Sequence, residues 1–271
     1  MKPITFTLRS EPEERLDLSA LIPERLAGMS AAEIANLTVG TSRTPAKVGD
    51  LFKVTGADPS GIVFHGGSKR FDRIGSEMTS GSIRIAGDVG AYVGRKMAGG
   101  TLVVEGEAGP QAGSGMRGGR INITGNVGDG VGAPMAGEVQ GMTGGLIVVG
   151  GRAGDRAGER MRRGIIVLRK GCGDYAGLGM IAGTIVATGR VGLYPGHLMK
   201  RGSLLFDRRP ANLSPTFIDC GVVDIGFPAL FDRYLLKEKI LDRPLLGTRP
   251  SRYGGDNAVL GKGEIMFRRS G

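Results

Sequence analysis

The sequence contains no tryptophan, few aromatic residues and very little cysteine or histidine. Aromatic residues make up 5% of the chain, so small aliphatic side chains must fill most of its core. The two cysteines cannot form a disulfide framework, and they indicate a reducing compartment. Neither His65 nor His197 has a histidine or cysteine neighbour at zinc-ligand spacing, so we predict no metal site.

Long apolar runs are absent as well. No run approaches the roughly 18 apolar residues of a membrane span, and the N-terminal residues lack the apolar stretch of a signal peptide. We therefore expect a soluble cytoplasmic protein with no membrane partner. No G-x-x-x-x-G-K-[ST] phosphate loop occurs, and the many G-x-x-G fragments belong to a repeat rather than to a dinucleotide site.

Glycine, in contrast, is abundant: it accounts for 50 of the 271 residues, against an average usage of about 7%. A 19-residue repeat explains this abundance. A glycine lies three residues after each repeat methionine. In most repeats, further glycines lie nine, twelve and sixteen residues after the same methionine. One seven-residue insertion, near residues 135–141, interrupts the spacing. The repeat methionines are Met78, Met97, Met116, Met142, Met161, Met180 and Met199.

Apolar residues alternate between the first two glycine columns, as Ile83 and Ile85 or Ile121 and Ile123 do. Period-two alternation predicts a short strand, and the glycines mark turns. Stacked 19-residue coils would bury a continuous core that one coil cannot bury alone. We therefore predict an all-β fold, a right-handed parallel β-helix of about seven glycine-rich coils with α/β terminal extensions. The predicted divisions are an N-terminal cap segment (1–59), the repeat domain (60–206) and a C-terminal cap or partner-binding arm (207–271).

Several local features extend this prediction. Residues 60–66 resemble a degenerate coil, and residues 4–8 resemble a strand. Ser30 and Glu33 form a capping box that opens a short helix through Leu37. Cys172 falls in a column of small apolar residues, so we interpret it as a core residue and not as a nucleophile.

Five apolar residues in the C-terminal arm have the i, i+3, i+4, i+7, i+8 spacing of an amphipathic helix. Two interpretations stay open: the helix packs on its own coils, or it docks on another subunit. The residues are Phe227, Leu230, Phe231, Tyr234 and Leu235.

Catalytic chemistry is not visible in the sequence. The acidic residues do not stack in one column, which argues against the carboxylate cluster of a sugar-cleaving β-helix and against a calcium-binding repeat. No nucleophile–base pair is evident, so the residues alone predict a scaffold or binding module. The position ten residues after each methionine, for example, reads Asp88, Glu107, Asn126, Arg152, Gly171 and Arg190.

The repeat resembles the C subunit of formylmethanofuran dehydrogenase over essentially the whole chain. The segment Met97–Gly106 shows the pattern M-x-x-G-x-[IL]-x-[IV]-x-G, and residues 49–54 and the chain length are similar to that subunit as well. The glycine-rich period also resembles the C-terminal domain of the glutamate synthase large subunit. Relatives of the C subunit occur in archaeal tungsten or molybdenum dehydrogenases and in a bacterial formyltransferase/hydrolase complex, which the Arg- and Ala-rich composition favours.

This resemblance implies a complex that moves a formyl group from formyl-tetrahydromethanopterin to a methanofuran-type carrier and hydrolyses it to formate. It places the hydrolase metals on the A subunit and the transfer on the D subunit, and it carries over no catalytic residue to this chain. We therefore expect a non-catalytic structural subunit that binds no cofactor. Its expected partners are the A, B and D subunits in a hetero-oligomer with more than one copy of each. A glutamate-synthase-like spacer is the other alternative.

The net charge of +10 lies mainly in residues 61–206, which carry +8. An anionic partner and a solvated surface are both consistent with this excess. Nucleic acid is disfavoured, because few aromatic residues accompany the charge and no binding fold is visible. Since the resemblance implies a carrier with glutamyl residues, we predict that basic residues at the coil corners stack into a stripe for its acidic tail. They are Arg95, Lys96, Arg117, Arg160, Arg162, Arg163, Lys200 and Arg201.

Overall fold

A computed structural model describes residues 2–40 and 45–269 of the chain. Strands are the main regular structure of these residues, and thirteen of them form one sheet, so the prediction of an all-β protein is confirmed. No helix in the described part is long and apolar enough to cross a membrane. The four short helices are α1 (Pro23–Leu26), α2 (Ala31–Ala35), α3 (Val48–Leu51) and α4 (Gly226–Lys237).

The strands fall into an N-terminal group, a repeat group and a C-terminal group. The first group comprises β1 (Pro3–Leu8), β2 (Leu16–Asp17), β3 (Thr38–Gly40), β4 (Pro45–Lys47), β5 (Phe52–Thr55), β6 (Asp58–His65) and β7 (Phe71–Asp72). The repeats supply β8 (Ser82–Ala86), β9 (Thr101–Val104), β10 (Arg120–Ile123), β11 (Leu146–Val149), β12 (Ile165–Leu168), β13 (Thr184–Ala187) and β14 (Arg201–Phe206). The last group is β15 (Ile218–Val222), β16 (Ser251–Gly255) and β17 (Lys262–Phe267).

Each repeat contributes one strand, and that strand pairs in parallel with the strands of the repeats before and after it. The register moves by one repeat at each step, so that Ile83 lies opposite Leu102. The insertion leaves the register intact, because Ile121 still pairs with Ile147. β6 pairs with β8 in the same way, which supports the interpretation of residues 60–66 as a further coil.

A second line of parallel bridges runs through the column that contains Cys172. Val89 bridges both Ser68 and Ala108, and Val127 bridges both Ala108 and Ala153. The chain therefore contacts its neighbouring repeats at two places in each of these turns.

The N-terminal segment continues the sheet beyond the repeats. β1 confirms the predicted strand and pairs in parallel with β6 and antiparallel with β5. Four phenylalanines, whose ring centroids lie 4.8–5.8 Å apart, close the core at this end: Phe6, Phe52, Phe64 and Phe71. The capping box of Ser30 and Glu33 is also confirmed, although α2 ends at Ala35 rather than Leu37.

The C-terminal segment covers the outer face of the last repeats. β17 pairs in parallel with β14, and β16 and β15 follow antiparallel. A second core cluster joins Val167, Val186 and Leu205 on the outer side of the strands to Leu235 of α4. From β11 onward the strands are therefore buried on both faces, whereas β9 and β10 are buried on alternate residues.

The five-residue apolar face predicted for α4 is only partly buried. Leu235 is buried and Phe231 half-buried, but Phe227, Leu230 and Tyr234 are exposed. The side that packs includes the buried Asp232 instead. Its carboxylate accepts hydrogen bonds from the N–H groups of Leu245, Leu246 and Gly247, which turns this side of the helix inward.

Close stacking of the repeats makes glycine necessary at position 119. Gly119 has a φ of +82°, and a Cβ atom there would lie 2.8 Å from the carbonyl oxygen of Gly100 in the previous repeat. Gly137, in the insertion, has a similar φ of +85° but open space around the Cβ position.

We expect Gly137→Ala to lower the free energy of unfolding by about 1 kcal/mol. Gly119→Ala should cost about 1–3 kcal/mol more, since the backbone must shift. Denaturant unfolding of both variants measures the difference, and equal effects would show that stacking does not require this glycine.

Asp256 links the last repeat to the C-terminal segment, and it gives stability a pH dependence. Burial raises its pKa, but a side-chain hydrogen bond from Thr216 and N–H groups of Ala258 and Leu198 outweigh burial and hold the pKa below its usual range. The Leu198 and Ala258 bonds are both 2.9 Å long. Because the folded pKa is the lower one, this stabilisation is complete above the unfolded pKa of about 4 and is lost as pH falls through the folded value.

We expect Asp256→Asn to lower the free energy of unfolding at pH 7 by about 1–3 kcal/mol. The difference from wild type should shrink as the pH falls below about 4. Urea unfolding at several pH values tests this, with Asp224→Asn at an exposed position as the control. A difference that stays constant down to about pH 2 would contradict the role of the ionised Asp256.

Candidate functional site

The chain turns sharply around each repeat methionine, and this corner presents the predicted basic residues. Lys96 and Arg160, directly before two of the methionines, have φ values of 54° and 48°. Their N–H groups donate to Ser114 and Leu178 of the following repeats at 2.9 and 2.8 Å. These backbone bonds hold the left-handed conformation at residues that are not glycine.

Six of the eight predicted basic side chains are exposed. Five of these six have no carboxylate oxygen of the described ranges within 4.0 Å of their charged nitrogens. We call these five residues the basic corner. They are Arg117, Arg162, Arg163, Lys200 and Arg201.

Within the basic corner, charge recurs in every second repeat. Arg117, Arg162 and Lys200 each follow a repeat methionine directly, whereas Thr143 and Ile181 occupy this position in the repeats between them. Stacked strands lie about 4.8 Å apart, so equivalent positions two repeats apart are separated by about 10 Å. The repeat thus gives the charges a regular spacing along one edge.

The remaining three basic residues are paired with carboxylates. Glu138 lies 2.7 Å from Arg95 Nη2 and 3.0 Å from Lys96 Nζ, and Arg160 lies 3.8 Å from Glu159. The structure therefore brings the predicted residues to one corner but leaves five of the eight without an acidic neighbour. The sequence pattern missed Glu138, although the insertion that carries it was recognised.

The insertion holds its carboxylate in the ionised form. Burial raises the pKa of Glu138, but a hydrogen bond from Lys96, the N–H of Met135 and the charge of Arg95 outweigh burial and keep the pKa below its usual range. Glu138 and Lys96 line a shallow depression together with Arg117, at the start of the basic corner. The insertion therefore lies beside Arg117, the first residue of the basic corner.

The prediction that acidic residues do not stack in one column was wrong. Asp129, Asp155 and Asp174 occupy the same position in three consecutive repeats. Each carboxylate accepts the N–H of the equivalent residue in the next repeat at 2.8 Å, the last from Leu193. These oxygens satisfy backbone donors along the stack, so the column joins the repeats to one another.

Cys172 is confirmed as a core residue. Its side chain is buried, and burial raises the pKa of the thiol to about 12. A thiol of this kind is not an effective nucleophile near neutral pH. Among residues 2–40 and 45–269, no three His, Cys, Asp or Glu side chains are grouped so that they could hold a metal ion.

Sequence comparison finds relatives in bacteria and archaea. The chain is 43% identical over 86 residues to the C subunit of the formyltransferase/hydrolase complex Fhc from Methylorubrum extorquens, which covers 32% of each chain. It is 36% identical over 99 residues to the C subunit of the tungsten-containing formylmethanofuran dehydrogenase 2 from Methanothermobacter marburgensis, or 35% of this chain and 37% of the relative. These alignments thus span about a third of the relatives' length. No family model matches the chain.

Structural comparison extends the likeness to the full length. The chain is similar to a chain in the crystal structure of the formyltransferase/hydrolase complex (FhcABCD) from Methylorubrum extorquens in complex with methylofuran. The TM-score is 0.90 and the sequence identity 40%, covering 98% of this chain and 100% of the other. The chain belongs to the family of C subunits found in these complexes. The resemblance seen in the repeat is thereby confirmed.

Proposed function

We propose that the chain is a non-catalytic structural subunit of a formyltransferase/hydrolase complex, with the A, B and D subunits as partners and more than one copy of each. The observation that carries this proposal is the full-length likeness to a chain of the FhcABCD complex. The buried thiol of Cys172 and the use of the stacked aspartates as backbone acceptors are consistent with a structural role.

We infer that the repeats wind as a right-handed parallel β-helix. Support comes from the parallel pairing of successive repeat strands and from the second line of bridges, which together require the chain to return to the same place every repeat. Right-handed connections between parallel strands are strongly favoured. A rod of this kind holds surface groups at fixed distances, which suits a protein that keeps its partners in register.

The proposed complex transfers a formyl group from formyl-tetrahydromethanopterin to a methanofuran-type carrier and then hydrolyses it to formate in the cytoplasm. We assign the transfer to the D subunit and the metal-dependent hydrolysis to the A subunit, and no cofactor to this chain. The archaeal tungsten or molybdenum dehydrogenase is the alternative setting, and the archaeal relatives support it. A spacer like that of glutamate synthase is the third.

Co-purification tests the proposed role directly. A tagged chain co-expressed with the A, B and D subunits should bring all three through affinity and size-exclusion steps, while the tag alone should bring none. Native mass spectrometry then gives the copy numbers. Zinc without tungsten or molybdenum in the purified complex would favour the hydrolase setting over the dehydrogenase. A chain that remains a monodisperse monomer in the presence of the other subunits would refute the proposal.

A second candidate role is to bind the acidic tail of the carrier along the basic corner. The five side chains are exposed and have no acidic neighbour among the described residues, so a ligand carboxylate would not need to displace an internal one. The spacing of about 10 Å between Arg117, Arg162 and Lys200 along the stack suits an extended chain that carries several carboxylates. Exposed ion pairs contribute up to about 1 kcal/mol each, so affinity would come from their number.

We expect Arg162→Glu together with Arg163→Glu to weaken binding of a glutamate oligopeptide by about tenfold at low salt, since two favourable pairs become repulsive. Lys2→Glu together with Lys53→Glu makes the same change in net charge at exposed positions near the opposite end of the sheet, and it should leave affinity nearly unchanged. Fluorescence anisotropy at several salt concentrations measures both effects. Equal affinities for the two double variants would count against a defined binding surface.

A further inference from the structure

The outer face of α4 presents an apolar and aromatic stripe. Phe227, Leu230 and Tyr234 are 40%, 64% and 36% exposed, and they occupy positions i, i+3 and i+7 of the helix. The half-buried Phe231 connects them, because its ring centroid lies 5.6 Å from that of Phe227 and 5.9 Å from that of Tyr234. This spacing is typical of a helix that binds in a groove of a partner.

Such exposure is unusual in this molecule. Among the described residues up to Asp174, Val139 is the one large apolar side chain that is exposed. The exposed apolar side chains are therefore concentrated in the last repeats and the C-terminal arm. Contiguous apolar surface of this kind marks interaction sites in soluble proteins, whereas single exposed residues need no explanation.

The helix is held rigidly in this orientation. Leu235 packs in the outer core cluster, and the Asp232 carboxylate accepts three backbone N–H bonds from the following loop. At the end of the helix, Arg169 donates to the carbonyl oxygens of Lys239 and Ile240 at 3.0 and 2.8 Å. A partner would therefore meet a preformed surface, so binding carries little further cost of ordering.

Charge around the stripe indicates which kind of partner fits. Asp232 is the helix's acidic residue and is buried, so that the charged side chains exposed on α4 are Arg233 and Lys237. The acidic Glu238, directly after α4, lies 3.7 Å from Arg120. Two copies of this chain that met through α4 about a symmetry axis would therefore bring two cations from each helix into one interface, and α4 itself has no exposed acidic side chain to pair with them. An acidic rim around an apolar groove would instead complement both the stripe and the cations.

We propose that α4 docks into an apolar groove with an acidic rim on another subunit of the complex. This inference rests on the proposed function, because it needs the chain to be part of such an assembly. Phe227, Leu230 and Tyr234 fill the groove, and Arg233 and Lys237 face its rim. Aromatic residues in the centre of an interface commonly account for much of the binding energy.

Competition in the assembled complex tests this docking. Each variant is co-expressed with an equal amount of wild-type chain and with the A, B and D subunits, and mass spectrometry of the purified complex gives the ratio of variant to wild type. We expect Leu230→Glu to reduce that ratio at least about 30-fold, which corresponds to the loss of one central contact. Val139→Glu places the same charge at the 74%-exposed position in the insertion and should leave the ratio within twofold.

Further results separate the possibilities. Arg233→Glu with Lys237→Glu should lower the ratio several-fold at low salt, and unchanged melting temperatures of the purified variants would exclude misfolding. If wild type assembles and both the Leu230 and the charge variants compete equally with it, the docking surface is wrong while the proposed function stands. If the wild-type chain does not assemble with the other subunits, both the proposed function and the docking surface are wrong. Light scattering could instead show that the wild-type chain is a dimer and that Leu230→Glu makes it a monomer. This result would overturn the inference, because α4 would then bind a second copy of this chain.

Discussion

The fit between methionine and glycine in neighbouring repeats is the constraint on which the rest of the structure depends. A Cβ atom at Gly100, Gly145 or Gly202 would lie 2.7–2.9 Å from the methyl carbon of the methionine one repeat earlier. The same glycines stack closely on the backbone, since that Cβ would also lie 2.7–2.9 Å from a glycine carbonyl oxygen below. The backbone contact leaves room only for glycine at these positions, and the methionine methyl groups fill the space beside them.

This fit explains both the period and the unusual composition. A flexible, unbranched methionine can adapt to a narrow interior, whereas a large ring would separate the repeats. Buried phenylalanines accordingly lie at the two ends of the stack: Phe6, Phe52 and Phe64 close the core before the repeats, and Phe206 lies in the last repeat strand. The insertion obeys the same constraint: residues 135–141 loop out, and the strands on either side keep the one-repeat register.

The strands and turns of the repeats could be predicted because each position of the repeat occurs about seven times in the sequence, so that its residue preference is visible. The parts that were missed have no copies. Glu138 lies in the single insertion, so nothing in the period indicated that it would pair with Arg95 and Lys96. The side of α4 that packs inward could not be predicted, because Asp232 is buried by bonds to a loop thirteen to fifteen residues away.

The aspartate column shows a different limit. A stack of carboxylates can face outward and hold a cation, or lie along the stack and accept backbone N–H groups, and both arrangements have the same sequence period. Asp155 lies along the stack, since its carboxylate oxygen accepts a hydrogen bond from the N–H of Asp174 one repeat further on. Which arrangement forms depends on where backbone N–H groups need an acceptor. Their positions are set by the stacked repeats together and not by the sequence of one repeat. The column thus binds the repeats together and fixes the spacing that the basic corner inherits. In this molecule the interactions that stabilise the stack of repeat strands also set the distances between its surface charges.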